Sequence, residues 1–163
     1  MSRIADRLRE LELVLPPPIQ APPGVVFPFQ FVRVVGTRAV ISGHGPQNAD
    51  GSFAGPFGQV GAAVSQAEGY ALARRTGLAI LASLTRALGD LDRVTAWTRV
   101  FGMVNSAPGF NQHPSVINGM SDLIIEVFGP VVGAHARSAV GMAGLPFDLA
   151  VEIEGEVEIA PAT

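Results

Sequence analysis

The chain has 163 residues, a formal net charge of −3, no cysteine and no lysine; all eleven cationic side chains are arginine. This excludes lysine Schiff bases, a P-loop lysine, thiol nucleophiles, disulfides and thiolate metal sites. Hydrophobic residues make up 48% and charged residues 15%, so the surface is short of charge, as it is where one subunit is buried against another in a homo-oligomer.

The length fits one domain with a real core. The acidic balance and absent lysine argue against nucleic-acid binding, which needs a basic stripe. No apolar run reaches the roughly 20 residues that span a bilayer. Met1 to Glu12 lacks an apolar signal core. A cytoplasmic protein without membrane association is expected.

In chain order, Ile4, Leu8, Leu11 and Leu15 predict a helix over residues 3–15, stopped by Pro16–Pro18. The Pro-rich stretch to Pro23 reads as an extended arm, so residues 1–24 are set apart from a domain over 25–163. Phe29–Val35 and Arg38–Ser42, joined by Gly36-Thr37, predict a β-hairpin. Gly43–Gly61, with six glycines and two prolines, is a loop able to approach a ligand closely. Val64–Leu88 is the longest periodic segment. Val64, Ala67, Ala71, Leu78, Leu81 and Leu88 are expected on its apolar face, with Ser65, Glu68, Arg75, Ser83 and Arg86 on another and Gly89 as the stop. A strand over Arg93–Val104 and a loop over Ser106–His113 follow. The next helix starts at Pro114 and ends before Gly129, burying Val116, Met120, Leu123, Ile124 and Val127. The chain closes with a strand over Arg137–Met142, a Gly144–Pro146 turn, and a strand in which Val151, Ile153, Val157 and Ile159 alternate with four glutamates. This order predicts helices on one face of an antiparallel or mixed sheet.

Glu152, Glu154, Glu156 and Glu158 repel one another at about 7 Å spacing, so at least one is expected in a site or paired with arginine. A carboxylate in a cleft can take a proton from water, and burial raises its pKa. The short Gly-Leu-Pro connection implies that the last two strands pair, which nominates Arg137 as the partner; bidentate carboxylate recognition suits arginine. His44, His113 and His135 are scattered without metal-ligand spacing, and no metal or cofactor is expected. Gly43-His44-Gly45 lacks the third glycine of a dinucleotide fingerprint.

Ala136-Arg137-Ser138-Ala139-Val140, Leu145-Pro146 and Val151-Glu152-Ile153-Glu154 resemble the C-terminal signature of the RidA family, also called YjgF or L-PSP endoribonuclease-like. Val40-Ile41-Ser42-Gly43, Leu88–Val94 and Val116-Ile117-Asn118-Gly119 resemble further family segments, so the likeness covers roughly residues 25–159. The resemblance implies a chorismate-mutase-like α+β fold, with a mixed sheet and two main helices on one face. It also implies a homotrimer with a barrel-like core and clefts between subunits. The activity it implies is hydrolysis of reactive enamines and imines, such as 2-aminoacrylate, to 2-keto acids and ammonia. Carried over by position, Arg137 would clamp the carboxylate of a small-molecule substrate and Glu152 would activate water. Ser42, Gly43 and Asn118 would line the pocket. The sequence departs from the pattern at Phe29, where family deaminases often carry tyrosine, at His44, which replaces a common glutamine, and at Ala139, which is cysteine in some members. His44, Phe110 and His113 could reshape the pocket. A non-catalytic trimeric binder of carboxylate metabolites and a pathway-specific imine-processing enzyme are the alternatives; ribonuclease action is disfavoured by the charge balance.

Overall fold

The computed structural model describes residues 2–161. Five strands form one mixed sheet: β1 (Val32–Val35), β2 (Arg38–His44), β3 (Val94–Asn105), β4 (Ala136–Met142) and β5 (Val151–Ile159), in the order β1-β2-β5-β3-β4. Helices α2 (Gln66–Leu88) and α3 (His113–Val132) cover one face, and a short α1 (Arg3–Glu10) packs beside α3. All pairings are antiparallel except β3–β4, which is parallel because α3 carries the chain back across the sheet.

That topology corrects the expected pairing of the last two strands. β3 lies between β4 and β5, and the connection from β4 turns through Phe147 and Asp148, both at φ 56°, instead of closing a hairpin. β5 itself follows its alternation. Val151, Ile153, Val157 and Ile159 are buried in the core, while the four glutamates stand on the opposite, open face.

The helical packing differs from the sequence reading in two places. In α2, Ala67 and Ala71 are exposed and the buried surface runs through Leu72, Ala73, Thr76, Ile80 and Leu84. Ser83, expected on the polar face, is buried too. The N-terminus matches its sequence signal. Ser65 caps Glu68 and the Glu68 carboxylate returns to the Ser65 backbone N–H, a full capping box. Helix α3 is as long and apolar as a membrane span, but Val116, Ile117, Met120, Leu123 and Ile124 are wholly buried on the core. It breaks at Gly129 (φ 79°) before one further turn. Tyr70 and Asp122 (2.8 Å) and Arg74 and Glu126 (2.6 Å) clamp α2 to α3.

Helix α1 ends at Glu10 and does not run on to residue 15 as its spacing predicts. Glu12 adopts φ 54°, Leu13 N–H bonds the Leu8 carbonyl at 2.9 Å and Glu12 N–H bonds that of Arg9 at 3.0 Å. This is a Schellman termination with glutamate where glycine is usual. At the other end, the Asp92 carboxylate accepts from Arg3 N–H (2.7 Å) and Ile4 N–H (2.8 Å), while Ser2 Oγ donates to Asp90 (2.7 Å). The first two free N–H groups of α1 are thus satisfied from the link between α2 and β3, and the Ser2 cap takes that of Ala5.

Candidate functional site

Strand β2 enters the site through Ser42-Gly43-His44. Ser42 Oγ donates to the Gln30 carbonyl at 2.7 Å, holding the Phe27–Phe31 segment beside the strand. Phe27, Phe29 and Phe31 brace one another edge to face, with centroids 5.2–5.8 Å apart. Phe29, Gly43 and Glu152 line one cleft of about 220 Å³, with Phe53 and Phe147 on the far wall. A Cβ at Gly43 would overlap Glu152 Oε1, so any larger residue there displaces that carboxylate. Burial, with a smaller push from Glu154, raises the Glu152 pKa above the usual carboxylate range. No arginine lies within 4 Å of Glu152 among the described residues. Its neighbours are paired: Glu156 with Arg38, and Glu154 with Arg99 at 3.6 Å.

Arg137 is therefore not the intramolecular partner of these glutamates. It stands level with Val100 on the helix-facing side of the sheet, whereas Glu152 is level with Met103 on the open side. Arg137 Nη1 donates to Asn118 Oδ1 (2.8 Å) and Ser121 Oγ (2.9 Å), and Nη2 reaches the Pro114 carbonyl at 3.4 Å. Ala139 lies further along β4 on the same side, opposite Gly102. Phe110 packs against Gly61 and the His113 ring (5.5 Å), away from the Glu152 cleft. The named residues thus form two half-sites: Phe29, Gly43 and Glu152 at one end of β5, with Ser42 supporting them, and Arg137, Asn118 and Ala139 at the α3–β4 edge.

Sequence reasoning missed what holds these groups. Each histidine places Nε2 against a serine hydroxyl: His44 on Ser83 (2.9 Å), His113 on Ser106 (2.8 Å) and His135 on Ser121 (2.9 Å). Ser121 and His135 therefore position Arg137. No spacing rule could have found them, since the partners lie 7 to 39 residues apart.

His44 points away from the Glu152 cleft and is 5% exposed. Burial pushes its imidazole from 6.5 down to about 4; its bond to the Ser42 carbonyl opposes this and the Arg86 charge adds to it. Unfolded, this histidine takes a proton near pH 6.5 that the native state refuses until about pH 4. Stability present above pH 6.5 is thus lost as pH falls through that window, by up to about 3 kcal/mol. Urea unfolding at pH 7.5 and 4.5 should show this loss, and His44→Gln should largely remove it. An unchanged pH dependence in His44→Gln would assign the loss to other groups.

A family model for YjgF/chorismate mutase-like endoribonucleases matches residues 7–152. Protein TCP17 of Trypanosoma cruzi is 42% identical over 160 residues, 97% of this chain and 95% of that protein. The crystal structure of Atu1372 from Agrobacterium tumefaciens has a TM-score of 0.83 at 38% identity, covering 96% of this chain and 91% of that one. A crystal structure from Shewanella oneidensis has a TM-score of 0.85 at 29% identity, covering 96% of this chain and 99% of that one. With the glutamate strand, the Ser-Gly strand and the Arg137 strand arranged on this sheet, the chain belongs to the YjgF/chorismate mutase-like, or RidA, family.

Proposed function

We propose that this protein hydrolyses small 2-imino or 2-enamino acids to 2-keto acids and ammonia, in clefts completed between the subunits of a homotrimer. The observation that carries this reading is the pair of unsatisfied opposite charges. Glu152 is a half-buried carboxylate with a raised pKa and no cation, and Arg137 is a fixed guanidinium with no carboxylate among the described residues. They stand on opposite faces of one sheet, so a common cleft needs Arg137 from one subunit and Glu152 from the next. The low charge density is consistent with such burial.

The chemistry suits these groups. An enamine such as 2-aminoacrylate tautomerises to the imine, whose carbon is already electrophilic. Arg137 binds the substrate carboxylate in a bidentate grip. Glu152 takes a proton from water as its oxygen adds to the C=N carbon and delivers it to nitrogen, giving the carbinolamine; it then takes the carbinolamine hydroxyl proton and passes it to the same nitrogen as C=O forms, the C–N bond breaks and ammonia leaves. Positioning and one carboxylate that shuttles two protons in turn suffice, and neither lysine nor cysteine is called for.

The test couples a 2-aminoacrylate generator to keto-acid formation. Arg137→Ala is expected to lower kcat/KM about 10–100-fold, the worth of a charge-assisted hydrogen bond. A wild type no faster than buffer would eliminate this substrate. Equal rates for wild type and variant would eliminate the clamp. Phe29, which offers no phenolic hydroxyl to the cleft, favours the second reading of a binder without turnover; a keto acid that raises Tm in a protein with no hydrolytic rate would establish it.

A further inference from the structure

The hydrogen bonds that fix Arg137 recur around a second arginine. In the first relay, His135 Nδ1–H donates to the Gly133 carbonyl (2.7 Å), Ser121 Oγ–H donates to His135 Nε2 (2.9 Å), and Arg137 Nη1 donates to Ser121 Oγ (2.9 Å). In the second, His44 Nδ1–H donates to the Ser42 carbonyl (2.7 Å), Ser83 Oγ–H donates to His44 Nε2 (2.9 Å), and Arg86 Nη2 donates to Ser83 Oγ (2.9 Å). Each histidine bonds the carbonyl two residues before it. Because a carbonyl can only accept, the proton of the neutral ring sits on Nδ1 and Nε2 accepts. The serine hydroxyl must then point at the ring and leave its lone pairs to the guanidinium. The direction of every bond is fixed, and each relay aims its arginine while taking only one of the guanidinium N–H donors.

Arg86 has no carboxylate within 4 Å among the described residues; its other contact is a long bond, 3.4 Å, from Nη1 to the Pro16 carbonyl. It lines a cleft of about 420 Å³ between the end of α2 and the Phe27–Phe31 segment. Ile19, Phe27, Phe29 and Phe31 form an apolar wall, and Arg86, Ser83 and Gln47 supply the polar groups. This volume and this mixture of a broad apolar wall with a few convergent donors are those of a small-molecule site. Phe27, Phe29 and Phe31 line both this cleft and the one that holds Glu152, but Arg86 and Ser83 line only this one and Glu152 only the other.

We propose that the Arg86 cleft is a second binding site, for an organic acid with an aromatic or branched apolar body whose carboxylate pairs with Arg86. The apolar body packs on the phenylalanine wall and the carboxylate meets the free edge of the guanidinium, where charge-assisted bonds in a partly desolvated cleft are strongest. This assignment does not rest on imine hydrolysis. A competing role exists, because a cation in the last turn of α2 also offsets the helix dipole. That role needs neither the Ser83–His44 relay nor the cleft, and it binds no acid.

The probe is phenylacetate, titrated into the full-length protein by calorimetry, with neutral phenylacetamide as the control. The wild type is expected to bind the acid at least about tenfold more tightly than the amide. Arg86→Gln should lose at least that factor, Ser83→Ala should lose part of it while the charge remains, and Arg137→Ala should stay within about twofold of wild type. Methyl resonances of Val32 and Ala87, which line this cleft and not the Glu152 cleft, should shift on titration of the unaltered protein, a readout that depends on no variant. No saturable binding by about 10 mM, equal affinity for acid and amide, or binding abolished by Arg137→Ala and kept by Arg86→Gln would each overturn the proposal. The last of these would move the acid to the Arg137 half-site, and the keto-acid assay would still judge the hydrolase reading separately.

Discussion

Glu152→Gln is expected to lower kcat for 2-aminoacrylate hydrolysis by about 10²–10⁴-fold, the usual worth of a positioned general base. Glutamine keeps the volume of the side chain beside Gly43 and Phe29 but cannot carry a proton from water to nitrogen. The pH profile supplies an independent check. Burial, with Glu154 adding, raises the Glu152 pKa, so the acid limb of the wild-type kcat/KM profile should sit above the ordinary carboxylate pKa of 4.5. That limb should vanish in the residual rate of the variant. Mixed assemblies sharpen the result. Co-refolding Glu152→Gln chains with Arg137→Ala chains should restore part of the activity if each site takes one group from each of two subunits, because some clefts then receive both native residues. Absence of complementation, with both homogeneous variants folded and inactive, would remove the shared cleft.

Gly119→Ala is expected to cost roughly 3 kcal/mol or more, which lowers Tm by about 6–12 °C in a chain of this size. At most helical positions this exchange stabilises by up to about 1 kcal/mol. Here the added methyl would overlap the Tyr70 carbonyl and lie 3.0 Å from Arg74 N. Both are backbone atoms of α2, which no rotamer change can move aside. The two helices would have to separate along the contact where Tyr70–Asp122 and Arg74–Glu126 hold them. Gly77→Ala makes the comparison, since its methyl would meet only side-chain atoms of Leu123 and Met120, at 2.6 Å. Thermal melts that rank the two exchanges equally would mean that the helix pair is not set by backbone contact.

The parts of this structure legible in the sequence are those where one residue's role repeats at a regular interval. β5 could be read because one face packs on the core and the other does not, so the period of two is written directly as Val151, Ile153, Val157 and Ile159 against four glutamates. Its neighbour could not. Adjacency of β4 and β5 in the chain suggested a hairpin, but α3 brings β4 to the far side of β3, and that choice is made by packing across the whole sheet. The end of α1 was hidden because its left-handed residue is Glu12, not glycine. In the candidate site, the family-like segments located Gly43, Glu152 and Arg137, and Gly43 and Glu152 do share a cleft. The serines and histidines that aim the two arginines bridge separate elements, and nothing local in their sequence distinguishes them from surface polar residues.

The capping of α1 from residues 90 and 92 bears on how the chain is built. An eight-residue helix does not persist alone in water, and the carboxylate that satisfies its first N–H groups lies 88 to 89 residues further on. During synthesis this segment therefore has nothing to close upon until the end of α2 and the start of β3 have followed it. The segment that carries α1 is in this sense among the last parts of the fold to be finished. Its helix seals the link between α2 and β3 and starts no folding of its own.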